Sequence, residues 1–130
     1  MVSLNPDDPL AVAVTAAIRS GDVDGLNHLL GGNPHLATAR IGPRTLLHVV
    51  ADWPGHFPNG AAVVTALIAA GADPNARHTG RGAPETALHW AASSNDVEVL
   101  DALIDGGADI EAPDGSIGGG TPLDDAVGYG

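Results

Sequence analysis

Apolar residues recur at helical spacing in short runs, and each run is cut by glycine, proline or asparagine. Residues 10–19 read as a helix, opened by Asp8-Pro9 and stopped near Gly21. Aspartate suits an N-cap and proline the first helical position. Asp22 opens a second helix with Val23, Leu26, Leu29 and Leu30 on one face, ended by Gly31-Gly32-Asn33-Pro34. A second pair follows, with helices predicted over about 45–52 and 60–70. Val63, Val64, Leu67 and Ile68 are its apolar stripe. The two prolines and the glycine of Trp53-Pro54-Gly55-His56-Phe57-Pro58-Asn59 exclude a helix between them. A third pair spans 86–107, turning at Ser93-Ser94-Asn95-Asp96, and its second helix is expected to bury Val97, Leu100, Leu103 and Ile104. One more helix starts at Thr121 and has no partner before Gly130. The polar, glycine-rich stretches 75–85 and 111–120 read as extended fingers or loose hairpins, and no independent sheet is expected.

The pattern repeats in detail. Thr86-Ala87-Leu88-His89-Trp90-Ala91-Ala92 follows the similar Thr45-Leu46-Leu47-His48-Val49-Val50-Ala51 by 41 residues, and Thr121-Pro122-Leu123-Asp124-Asp125-Ala126-Val127 comes 35 residues later. The first two boxes lead through a second helix to Gly71-Ala72-Asp73 and Gly107-Ala108-Asp109. Threonine, box histidine and closing glycine each have a mechanical reading. They can cap the first helix, bond backbone across the stack, and take positive φ at a helix end.

These residues resemble the ankyrin repeat, whose period is about 33 residues. The resemblance implies an all-α solenoid of stacked antiparallel helix pairs with finger loops. Here it would form one domain over 1–130, with approximate repeats 8–40, 41–81, 82–116 and a partial 117–130. Box to Gly-Ala-Asp is 26 residues in repeat two and 21 in repeat three. The extra five residues fall in the aromatic turn 53–59. Leu46 and Ala87 stand where the family has proline. Asp124 replaces the box histidine, which puts the hydrogen bonding there in doubt, and Leu123 and Val127 should lack half their cover.

Charge narrows the function classes. There is no lysine or cysteine, and Arg19, Arg40, Arg44, Arg77 and Arg81 oppose sixteen acids for a net −11. Clustered cations for nucleic acid or an anionic membrane surface are lacking, and no thiolate metal site or disulfide framework is available. Residues 1–8 carry no basic signal segment and 61–70 is too short to span a bilayer, so a soluble cytoplasmic protein is expected.

The candidate chemistry is thin. His48, Asp52 and His56 fall short of converging metal ligands and read as a box histidine with exposed neighbours. His89 and Ser93 at i, i+4 lack an orienting third group, so no catalytic residue, metal or cofactor is assigned. Gly118-Gly119-Gly120 before Thr121 lacks the lysine of a phosphate loop and reads as a finger. Trp90 is expected in the core. The resemblance implies that the concave face of fingers and first helices grips a protein partner. Carried over, this face includes Asp52, Trp53, Ser93 and Ser94, with Phe57 in the inserted turn and Arg77 and Arg81 on the second finger. Both rings could instead fold back on a neighbouring repeat. Two rivals stand beside a non-catalytic protein-interaction module. One is a small-molecule binder or enzyme with 53–59 as a lid over Asp52, Trp53, His56 and His89. The other is an assembly segment that self-associates through the incomplete last repeat.

Overall fold

The computed structural model describes residues 3–115 and 119–129, and in the last helix the side chains of 125 and 127–129 are outside the description. Gly118 of the glycine run and the side chain of Val127, whose cover was in question, therefore lie outside the described residues. Among the described residues seven helices follow in order: α1 Pro9–Ser20, α2 Val23–Gly32, α3 Leu46–Ala51, α4 Gly60–Ala69, α5 Ala87–Ser93, α6 Val97–Asp105 and α7 Pro122–Tyr129. A 3-10 turn spans Leu36–Thr38. The first helices pack in a row, α1 on α3, α3 on α5 and α5 on α7. The second helices form a parallel row, α2 on α4 and α4 on α6, and each helix also packs on its own pair partner up to α5 and α6.

The helix ends follow from local chemistry. Asp8, Asp22 and Asp96 accept the backbone N–H of Leu10, Gly25 and Val99. These bonds satisfy donors that a helix start leaves unpaired. Thr45 and Thr86 cap α3 and α5 in reciprocal capping boxes with His48 and His89. Gly21 closes α1 at φ 70°, and a Cβ there would lie 2.3 Å from the carbonyl oxygen of Pro58. The turn 53–59 packs that tightly on the first pair.

The core is one continuous cluster. Val14, Ile18, Leu26, Leu46, Leu47, Val50, Val63, Val64, Leu67, Leu88, Val99 and Leu103 are buried within it. Two expectations need correction. The helix α6 buries Val99 and Leu103, whereas Val97 and Ile104 are exposed and Leu100 is half-buried. Leu100 and Ile104 face the side where the row α2, α4, α6 has no further helix among the described residues. The expectation of no sheet also fails. Strands β1 Ser3–Leu4, β2 Arg40–Ile41 and β3 Arg44–Thr45 form a small sheet, with β1 parallel and β3 antiparallel to β2. Gly42-Pro43 makes the hairpin turn, and the first finger is thereby a β-hairpin rather than a loop. The second finger is the loose hairpin expected, held by an isolated bridge between Arg77 and Thr86 and by the His78 N–H on the Glu85 carbonyl.

Candidate functional site

The polar residues singled out by sequence divide into those that hold repeats together and those left on the surface. The box histidines belong to the first group. In His48, Nδ1 accepts from the Thr45 N–H at 3.3 Å and from its hydroxyl at 2.7 Å, while Nε2 meets the Glu85 carbonyl oxygen at 2.8 Å. A carbonyl only accepts and a backbone N–H only donates, so the ring is neutral with its proton on Nε2. Burial lowers the His48 pKa from 6.5 to about 4, and the nearby His78, Arg40 and Arg44 push in the same direction, against the raising effect of the bond that Nε2–H donates to the Glu85 carbonyl. His89 repeats the arrangement, with Nδ1 on Thr86 and Nε2 3.2 Å from the Gly120 carbonyl.

With both ring nitrogens engaged, neither histidine can ligate a metal or serve Ser93 as a base. Ser93 donates instead to the backbone carbonyl of His89 at 2.9 Å, and Ser94 to that of Trp90 at 3.1 Å. Among the described residues no group of three or more potential ligands converges. Asp124 keeps half of the histidine's work. Its carboxylate accepts from the Thr121 N–H and hydroxyl, so the cap survives, but a carboxylate has no Nε2–H to reach a following carbonyl.

The arginines of the fingers run in series. Arg40 donates to the Arg77 carbonyl at 2.7 Å, and Arg77 donates to the carbonyls of Pro84 and Pro113, both at 2.9 Å. Asp114 lies 3.8 Å from the same guanidinium. Arg77, expected to face a partner, uses Nη1 to tie one finger to the next. Arg81 is exposed on the second finger.

The inserted turn is likewise stitched on both sides. Asn59 donates to the Gly21 carbonyl at 2.9 Å. On the other side the His56 N–H donates to Asp96 at 2.8 Å and its Nε2 lies 2.9 Å from the Ser94 carbonyl. Its rings part company. Phe57 is half-buried, with the Arg19 guanidinium 6.0 Å from its centroid, while Trp53 is 80% exposed.

What remains on the first-helix face is a groove of about 340 Å³ lined by Ala51, Asp52, Trp53, Glu85, Trp90 and Ser93. It brings together three predicted site residues, Asp52, Trp53 and Ser93. Phe57 lines a different depression with His56, and neither His56 nor His89 lines the groove. The rival set Asp52, Trp53, His56 and His89 is thus not convergent. Asp52 is not a free carboxylate: Arg44 donates to it at 2.6 Å and Arg19 lies at 3.6 Å. The Arg44 guanidinium also sits 5.7 Å from the Trp90 ring centroid. Trp90, expected in the core, is half-buried and edge-on to His48, with His78 beside it at 5.3 Å. Burial, and after it the charges of Arg44 and Arg40, lower the His78 pKa, against a raising influence from Asp52.

Sequence reasoning did not find Trp90 as a groove residue, nor Arg19, Arg44 and His78 as the groups beside Asp52 and Trp90. One signal was available: Arg19 ends α1 as Asp52 follows α3, so repeat alignment puts them side by side in neighbouring repeats. Arg44 needed the hairpin, which no alternating pattern of two-residue strands announces.

The family profile for ankyrin repeats, three copies in length, matches residues 13–114 and again 55–130. The chain belongs to the ankyrin-repeat family. A search of curated proteins finds no match to it. Ankyrin repeats are in general protein–protein interaction modules, and no helix among the described residues is long and apolar enough to cross a membrane.

Proposed function

We propose that this chain is a non-catalytic interaction module that grips a protein partner on its first-helix face, the concave face of the family. The groove between Trp53 and Trp90 is the centre of the contact. The exposure of Trp53 carries the reading. An indole left in water beside a groove, with its backbone held by the stitched turn, offers a large contact at small cost in ordering. Asp52, Ser93 and Ser94 border it, with Arg81 as an outlying charge. The repeats are read as 8–40, 41–81, 82–116 and a partial 117–130. Replacing Trp53 by alanine is expected to abolish capture of partners from the native cell while leaving the thermal midpoint unchanged. Capture that survives the change removes Trp53 from the contact.

A second reading, self-association, is favoured by one observation. Leu88, Leu100, Ile104, Ile110, Pro122 and Leu123 line an apolar groove beside α6 and α7, and Leu123 is 70% exposed. Sedimentation of the wild type and Leu123→Asp decides it: a concentration-dependent dimer lost in the variant supports it, and a monomer at all concentrations rejects it.

A further inference from the structure

A second depression opens on the same face, between α1 and the first hairpin, with a volume of about 620 Å³. Val12, Ala16, Ile41 and Val49 make it apolar, and Arg19 and Arg44 line it too. Val12 is 56% exposed, although it lies on a helix that buries Ala11, Val14, Ala17 and Ile18. Arg19 sits about 10 Å along α1 from Val12, from the helical rise. Both guanidinium groups lean on one carboxylate, that of Asp52, at 2.6 and 3.6 Å. One acid for two arginines leaves this end of the trough positive, on a protein whose net charge is −11.

We propose that this trough binds an acidic peptide segment of a partner protein. An aliphatic side chain of the segment lies on Val12, Ala16 and Val49, and the carboxylates that follow it meet Arg19 and the outer edge of Arg44. The proposal rests on the reading of this face as a protein-binding one and adds the chemistry of the partner. Charge complementarity sets both the class and the direction. Guanidinium pairs carboxylate through two parallel donors, so the acidic end belongs at Arg19. Asp7 and Asp8 follow Pro6 at the opposite end of α1 and oppose a carboxylate there. The remaining negative charge of the protein is screened beyond about 8 Å at physiological ionic strength, so it does not forbid the short-range pair.

The test uses the intact chain, isotopically labelled, titrated with three capped hexapeptides and followed by amide shifts. The first is Gly-Ser-Leu-Asp-Glu-Gly. The others replace Asp-Glu by Asn-Gln or by Lys-Lys. The acidic probe is expected to move the amides of 12–19 and 41–49 and to bind at least tenfold tighter than the neutral one. Arg19→Gln should remove that tenfold, and Val12→Asp should abolish binding, each with an unchanged thermal midpoint. Equal binding of the neutral or lysine probe overturns the proposal, as do shifts that map elsewhere or insensitivity to both variants. A dimer that Val12→Asp dissociates, with no acidic probe bound, also overturns it and assigns the trough to a second copy. If cellular partners are lost with Trp53→Ala while the acidic probe fails, the interaction reading stands and this inference alone falls.

Discussion

His48 shows how one side chain is held to one charge state. Its Nδ1 faces the Thr45 N–H, so a proton there would meet another donor, and its burial disfavours the charged ring. The folded pKa near 4 lies below the unfolded value of 6.5. Above pH 6.5 both states are neutral and the full stability is present. Between 6.5 and 4 the unfolded chain takes a proton that the folded one refuses, so stability falls as pH falls. The shift corresponds to about 3 kcal/mol across that window. Urea unfolding at pH 7.5, 6, 5 and 4.5 should show this decline. His48→Gln should be less stable at pH 7.5 and distinctly flatter below pH 6.5. An equal slope in both proteins would place the acid sensitivity elsewhere. Trp53 is the contrasting residue. With most of its ring in water, Trp53→Ala should change stability by no more than about 0.5 kcal/mol by the same measurement.

At the scale of elements, the ties between repeats matter as much as the helices. The turn 53–59 is non-helical, as its prolines require, yet it is not loose. Asp96 joins it to the next pair: one carboxylate oxygen caps α6 on the Val99 N–H at 3.4 Å, and the other accepts the His56 N–H at 2.8 Å. The side chain is buried, so removing it strips a cap and leaves an N–H without its partner. Asp96→Ala should cost about 3 kcal/mol, summing a cap and an unmet buried donor. Asp96→Asn retains acceptor capacity and should cost roughly half as much. Thermal unfolding of the two variants tests this, and equal stability of Asp96→Ala and wild type would show that the stitch is idle. Much of this scale was legible in the chain itself. Helix positions, threonine caps and the reach of the box histidines all follow from short-range chemistry repeated at a period. The parts that were not legible are pairings over 30 to 40 residues, Arg40 on Arg77, Arg19 on Asp52 and the sheet that Ser3 and Leu4 complete, together with Arg44 on Asp52, which is near in sequence but depends on the hairpin. Two-residue strands carry no alternation to read, and an arginine beside a finger looks the same whether it ties loops together or waits for a partner. The stripe of α6 was misjudged for a related reason. Val97, Leu100 and Ile104 are apolar at helical spacing, but burial depends on whether another element covers that side.

At the scale of the whole molecule, the two rows of helices make stability a matter of neighbours. In a stacked array each unit is held by those beside it, and end units have one neighbour fewer. The helices α3 and α4 lie between units on both sides and bury more large side chains than either flanking pair, including Leu46, Leu47, Val50, Val63, Val64 and Leu67. The helix α7 rests on α5, and its Leu123 is largely in water. Its Thr121 cap is made, but Asp124 offers no donor with which to tie a further strand of backbone. Opening of α7 should therefore precede opening of the centre. Native-state amide exchange should give the highest protection in α3 and α4, less in α1 and α6, and the least in α7, by a margin of about 2 kcal/mol or more between centre and end. Replacing Asp124 by histidine restores a box without adding a helix beside α7 among the described residues. If the lack of a neighbour governs the end, that change should raise protection in α7 only slightly, whereas Leu88→Ala, which removes a buried contact of α5 beneath it, should lower it sharply. Uniform protection across all seven helices would mean that the array opens as one unit and that its last helix is no weaker than its centre.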